Sequence, residues 1–182
     1  MSKRKAVFLD RDGVVNVFPG PGRFVRSWAE FRFMPEVRAG LSRLRAAGFA
    51  LVLITNQSGV GRGLMSLEDL HEIHRRMQDE LGTERLDAIY YCPHHPDDGC
   101  ACRKPSPAMI RQAVAEHGLD LAASFLVGDS GRDIEMGRAV GLRTTLCRMN
   151  LPPSIESMEA RYRPERFSKT LAEAVDWILD EA

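Results

Sequence analysis

Short apolar runs recur along this chain, separated by segments of helical period, and each run hands over to a polar or glycine-containing turn. Ala6–Asp10, Phe49–Ile54, Leu86–Tyr91, Phe125–Val127 and Thr144–Cys147 read as strands. This alternation implies βαβ units and a parallel sheet, because parallel neighbours need a crossover between them. Pro35 can occupy the first turn of a helix with Val37, Leu41 and Leu44 on one face and Gly48 at its end. Ser66 with Asp69 forms a capping pattern ahead of the stripe Leu70, Ile73, Met77 and Leu81. On that helix His71 and His74 read as surface or boundary residues. Ser106-Pro107 opens a helix with Ile110, Ala113, Val114 and His117 on one face, and Arg132–Val140 is a shorter one. Beyond a Pro-containing stretch from Arg148 to Arg166, Ser168 can cap a last helix that turns Leu171, Ala174, Val175, Ile178 and Leu179 to the core. Val17–Phe33, with its glycines, prolines and aromatic residues, is a loop or hairpin.

The expected architecture is α/β, a Rossmann-like parallel sheet with helices on both faces. At 182 residues the chain is long enough for one domain with a sizeable core, and residues 1–182 are read as that single domain. Lys plus Arg equals Asp plus Glu at 25 each, so no global field draws the chain to nucleic acid or to an anionic membrane. Lys3-Arg4-Lys5 does not open a signal peptide, since Asp10 interrupts the apolar run that follows. No other run approaches the ~18 apolar residues of a spanning helix. A soluble, cytoplasmic monomer acting on a small molecule is expected.

In a parallel sheet, ligands bind beyond the carboxyl ends of the strands. Asp10-Arg11-Asp12-Gly13 stands at such an end and sets two carboxylates one residue apart, with a glycine behind them for close backbone approach. Alone, Asp-x-Asp-Gly is more often a turn. Thr55, Lys104 and Asp129 also follow strands, and together these groups make a phosphoryl-transfer site. Asp10, ionised at neutral pH, is the nucleophile. Asp12 is the acid, held partly protonated by burial or by its carboxylate neighbour, and later the base toward water. Carboxylates facing a dianionic phosphate require a hard cation, Mg²⁺, with Asp10 and Asp129 as side-chain ligands. Lys104 and the Thr55 hydroxyl hold phosphoryl oxygens, and Asp133 can orient a metal-bound water.

Asp10-Arg11-Asp12-Gly13-Val14-Val15, Ile54-Thr55-Asn56-Gln57-Ser58-Gly59, Cys102-Arg103-Lys104-Pro105 and Gly128-Asp129-Ser130 with Asp133 resemble, in order, the four motifs of the haloacid dehalogenase superfamily phosphatases. The resemblance implies that Asp10 is phosphorylated and that Asp12 is the general acid/base. It also implies that Asp10, the backbone carbonyl of Asp12 and Asp129 bind Mg²⁺. The intervals between motifs leave no room for a cap domain, so an open site is expected, bordered by Val17–Phe33 and the cysteine loop.

Of the chain's 4 cysteines, Cys92, Cys100 and Cys102 crowd together beside His94. Cys92, His94, Cys100 and Cys102 form a tetrahedral ligand set for a structural Zn²⁺, with His95 a bystander. Such a loop could gain on the order of 10 kcal/mol from its metal. Cys147 reads as a small buried hydrophobe. The zinc loop narrows the resemblance to two capless branches, the D-glycero-D-manno-heptose-1,7-bisphosphate 7-phosphatases and the histidinol-phosphate phosphatases. The Gln-Ser-Gly-x-x-Arg-Gly and Cys-Arg-Lys-Pro-Ser-Pro forms favour the heptose branch, hence a Mg²⁺-dependent sugar-phosphate phosphatase. Asn56, Gln57, Ser58, Arg103 and Lys104 are the candidate substrate contacts, and Arg62 is either a further one or a solvated loop residue. Asp97 and Asp98 suit the cationic histidinol alternative. A catalytically silent zinc-stabilised scaffold is the rival from another class.

Overall fold

The computed structural model describes residues 3–182. Its centre is one six-stranded parallel sheet in the order β3-β2-β1-β4-β5-β6. The strands are β1 (Ala6–Leu9), β2 (Ala50–Asn56), β3 (Ala88–Cys92), β4 (Phe125–Gly128), β5 (Arg143–Cys147) and β6 (Arg166–Ser168). The helices are α1 (Val37–Ala46), α2 (Leu67–Leu81), α3 (Ala108–His117), α4 (Gly131–Arg138) and α5 (Leu171–Glu181).

Strand period two sorts the buried side chains into two cores. Val7, Leu9, Leu51, Leu53, Phe125 and Val127 face α1, α2 and α5, meeting Leu41, Leu44, Ile73, Met77, Val175 and Ile178. Ala6, Phe8, Val52, Ile54 and Leu126 face the other way, onto Met109, Ile110 and Ala113 of α3 and Met136 of α4. Each fully buried Leu or Ile here contributes about 1.5–3 kcal/mol over its exposed state. The central strands are therefore apolar on both sides, as a sheet covered on both faces requires. Among the described residues no helix is long and apolar enough to cross a membrane.

The strand order reverses between β1 and β4. From β1 the chain proceeds outward through β2 and β3, then returns to β4 and builds in the opposite direction. The crevice between the carboxyl ends of β1 and β4 is the topological switch point at which such sheets bind ligands. Asp10 follows β1 and Asp129 follows β4, so the topology alone brings them together.

Differences from the sequence reading lie at the periphery. Arg166–Ser168 is a sixth strand, too short and too polar for a periodicity signal, with Ser168 Oγ 2.9 Å from Thr145 Oγ1. Ser168 is thus occupied, and Thr170 caps α5 instead, its side chain accepting from the Glu173 amide. His74 is buried on α2 rather than at the surface, and His117 is exposed. Ser66 and Asp69 do form a reciprocal capping box. Val17–Phe33 has no strand; an isolated bridge between Asn16 and Phe33 closes it over stacked Trp28 and Phe31. Cys147 is buried, and burial pushes its thiol up to about 12.

Candidate active site

The turn after β1 is wound tightly: the amides of Val15 and Asn16 both donate to the Arg11 carbonyl, at 2.8 and 2.9 Å. Gly13 sits at φ +93°, and a Cβ there would lie 2.6 Å from Asp129 Oδ2. Glycine is needed at this position for both reasons, and it lets the Asp129 carboxylate close over the turn.

Lys104 links the floor of the site. Its Nζ lies 2.8 Å from Asp10 Oδ1 and 2.6 Å from Asp133 Oδ1, and donates to the Ile54 carbonyl at 3.1 Å. Burial would lower its pKa, but Asp10 and Asp133 outweigh that and hold the ammonium above the ordinary lysine value. Asp10 Oδ1 also accepts the Arg11 amide at 2.7 Å, whereas no donor among the described residues reaches Oδ2. Burial and then Asp133 raise Asp10 to about 6 against the pull of Lys104. Asp129 has no donor among the described residues, and burial followed by repulsion from Asp10 and Asp133 pushes it up to about 8.

Oxygens of Asp10, Asp129 and Asp133 come within 4.8 Å of one another. Asp133 is spoken for, with Oδ1 on Lys104 and Oδ2 accepting from the Ser130 amide and hydroxyl. It anchors Lys104, a contact the sequence alone did not suggest. Asp10 shares Lys104 with Asp133, and Asp129 has no cation of its own among the described residues, so this hard oxygen set is short of positive charge and fits Mg²⁺.

Asp12 differs from the sequence expectation. Burial raises its pKa, but the Arg11 guanidinium and hydrogen bonds from Asn16, Gln57 and Arg11 hold the carboxyl below its usual range. These partners favour its ionised form, so burial does not hold it protonated. Gln57, expected at the substrate, is buried away from the cleft. Its Nε2 donates to Asp12 Oδ2 at 2.9 Å and to Thr55 Oγ1 at 2.8 Å. Because the Thr55 oxygen accepts that bond, its O–H is free to donate into the cleft. Asn56 lines the cleft, but its amide is spent on the Lys104 backbone, accepting from N at 3.0 Å and donating to O at 3.3 Å.

The cleft above this floor has a volume of about 1040 Å³. Ser58, Arg62 and Arg103 line it on one side, and Val17–Phe24 on another. Arg103 Nη1 is buried with no hydrogen-bond partner, an orphaned donor that fits an anion. A third wall was not anticipated: Arg132, Arg148, Asn150 and Lys169 also line the cleft. Arg148 directly follows β5, so the strand-end rule that found Asp10 reaches it, whereas Lys169 follows β6, which has no periodicity signal. Arg11, Asn16 and His74, which surround Asp12, also went unassigned. Only the charge of Arg11 between two acids hinted at them.

Cys92, His94, Cys100 and Cys102 offer donor atoms within 4.8 Å of one another, and all the cysteines are free. Cys92 Sγ lies 3.5 Å from Cys100 Sγ and 3.6 Å from His94 Nδ1, while Cys102 Sγ lies 3.8 and 3.3 Å from the same two atoms. A tetrahedron with Zn–S bonds of ~2.3 Å has edges of ~3.8 Å, so the donor set fits Zn²⁺. Burial and the adjoining thiols push Cys102 up to about 12, a state that a bound cation would reverse. His95 caps the short turn at Pro96–Asp98 instead of joining the donors. The loop is fastened to the segment after β2, where the Gln57 amide donates to the Cys92 carbonyl at 2.7 Å. Gly61 packs so closely that a Cβ would lie 2.2 Å from His95 N.

A family model described as HAD-hydrolase-like matches residues 101–174. Over 181 residues the chain is 35% identical to the D-glycero-beta-D-manno-heptose-1,7-bisphosphate 7-phosphatase of Helicobacter pylori, covering 98% of this chain and 99% of that one. It is 39% identical over 185 residues to the enzyme of the same name from Yersinia pestis, covering 96% and 89%. Among solved structures, the D,D-heptose 1,7-bisphosphate phosphatase from B. bronchiseptica, complexed with magnesium and phosphate, superposes with a TM-score of 0.86 at 38% identity, covering 98% of this chain and 99% of that one.

Proposed function

The chain belongs to the haloacid dehalogenase-like phosphatases, in the D-glycero-beta-D-manno-heptose-1,7-bisphosphate 7-phosphatase group, and on that premise we propose that it removes the 7-phosphate of that heptose bisphosphate through an aspartyl phosphate at Asp10. The observation that carries this reading is the convergence of Asp10, Asp129 and Lys104 at the switch point, beneath a cleft with cationic walls. The relatives' printed names support the substrate, and the magnesium and phosphate in the B. bronchiseptica structure support the chemistry.

Asp10 attacks phosphorus through Oδ2, forming the acyl-phosphate bond as the bond from phosphorus to the sugar oxygen breaks. Lys104 and the Thr55 hydroxyl neutralise charge on the phosphoryl oxygens. Asp12 takes up a proton from solvent as the phosphate dianion docks beside it and raises its proton affinity, and it passes that proton to the departing oxygen. Water then attacks phosphorus and gives its proton to the Asp12 carboxylate, releasing inorganic phosphate and restoring Asp10. When bound, Mg²⁺ supplies charge neutralisation; Asp10, the Asp12 carbonyl and Asp129 would hold it.

The Cys92–Cys102 loop holds Zn²⁺ in this reading, as part of a single phosphatase domain, and sets Arg103 at the mouth of the site and Lys104 on its floor. Arg103 takes the distal 1-phosphate on its orphaned Nη1, with Arg62, Arg148 and Lys169 supporting the charge. The histidinol alternative loses ground, because neither Asp97 nor Asp98 lines the cleft. Phosphate release from heptose 1,7-bisphosphate, from a heptose 7-phosphate lacking the 1-phosphate and from histidinol phosphate tests the reading. The bisphosphate should have the highest kcat/KM, and preference for histidinol phosphate would refute it.

A further inference from the structure

Arg11 heads the fully buried side chains by volume, and among the carboxylates of the described residues it pairs only with Asp12. Consecutive residues normally turn their side chains apart. Here the tight turn after β1 folds the guanidinium back onto its neighbour, with Nη2 2.9 Å from Oδ1 and 3.1 Å from Oδ2 of Asp12 and Nε 3.3 Å from Oδ1. Asn16 Nδ2 adds a donor to Oδ1 at 2.9 Å, and Gln57 Nε2 adds one to Oδ2. Oδ1 is thereby crowded with donors, while Oδ2 is the oxygen that Gln57 ties to Thr55.

The far end of the guanidinium is also held. Nη1 lies 3.5 Å from Nε2 of His74 on α2. Since Nη1 can only donate, that ring nitrogen must present its lone pair. Burial and then the Arg11 charge keep His74 neutral, with a pKa of about 3. The ring leans on Tyr91 of β3 at 5.6 Å, so α2 and the sheet together fix the fork.

We propose that Arg11 is a positioning residue for the leaving-group step, its guanidinium fork locking the rotamer of Asp12 so that Oδ2 meets the departing oxygen. The inference rests on the role given to Asp12 above. It assigns Arg11 work beyond neutralising a buried charge: misplacing a proton donor by about 1 Å can slow its step about 100-fold. That loss should depend on how much proton help the leaving group needs.

The test compares phosphate release from a sugar 7-phosphate, whose alkoxide needs a proton, with release from p-nitrophenyl phosphate, whose phenolate does not. Arg11→Lys keeps the buried charge and loses the fork. Its kcat on the sugar phosphate should fall about 100-fold and on the aryl phosphate less than about 5-fold, with KM little changed. Equal losses on both esters, or none, would overturn the proposal. Should Arg11→Lys lack a cooperative melting transition, His74→Phe, which leaves the ion pair intact, must give the same contrast at about 5-fold, and its absence counts equally against the proposal. Asp12→Asn is measured in parallel. No contrast in that variant refutes the role of Asp12 and this inference with it; contrast there but not in Arg11→Lys refutes the inference alone.

Discussion

The cysteine loop and the acidic floor both gather like ionisable groups within 4.8 Å, yet they are built in opposite ways. Cys92, His94, Cys100 and Cys102 come from one short stretch of chain that starts at the end of β3, where Cys92 is buried in the core and Cys100 and Cys102 pack against it. Asp10 and Asp129 come from adjacent strand ends distant in sequence, and β1 and β4, which carry them, are buried on both faces. On the reading proposed above, a cation would be structural in the first and chemical in the second. Loss of zinc should disorder the loop, whereas loss of magnesium should stop turnover and leave the sheet intact.

The largest effect expected from breaking this contrast is at Lys104, the internal cation of the floor. Lys104→Met removes a phosphoryl donor and strands Asp10 and Asp133, so kcat should fall about 10²–10³-fold and stability by about 3–5 kcal/mol. Steady-state phosphate release and denaturant melts check both. Next comes the loop. Cys100→Ser should abolish stoichiometric zinc by elemental analysis and lower the melting temperature, reducing activity through displacement of Arg103 and Lys104. A variant that keeps zinc would break the four-donor assignment. Arg103→Ala should follow, raising KM for a bisphosphate about 10- to 100-fold while changing KM for a monophosphate far less.

The smallest effect is electrostatic. Burial and the neighbouring carboxylates push Asp129 up to about 8 in the folded chain from an ordinary 3.8, so the folded state binds the extra proton between those values. Its contribution to stability is then present below about pH 4 and lost as pH rises through about 8. Metal-free protein should melt at higher temperature at pH 6 than at pH 8, and saturating Mg²⁺ should flatten the difference. Asp12 has the opposite sign: its pKa is lowered, so its contribution holds above 3.8 and is lost in acid as pH falls through the folded value.

The same contrast explains what the sequence made legible. Ligand spacing shows the cysteine loop because its donors are neighbours in the chain. Asp10, Thr55 and Asp129 were legible through a different regularity, the polar residue that emerges where an apolar strand stops, and Lys104 through its place just beyond the cysteine loop. Neither regularity reaches a group that acts through another. Gln57 looked like a substrate contact, yet it braces Asp12 and Thr55, and Arg11 folds onto its own neighbour only because the turn reverses. β6 was hidden because three residues cannot display a period, and with it went Lys169; Arg148 follows the legible strand β5.

Asp10→Asn tests the central claim most directly. In this variant the nucleophile is replaced by a near-isosteric amide, with Mg²⁺ present and folding verified by a melting transition. Phosphate release from heptose 1,7-bisphosphate should drop to background. Turnover at or near the wild-type rate would contradict an aspartyl phosphate at Asp10.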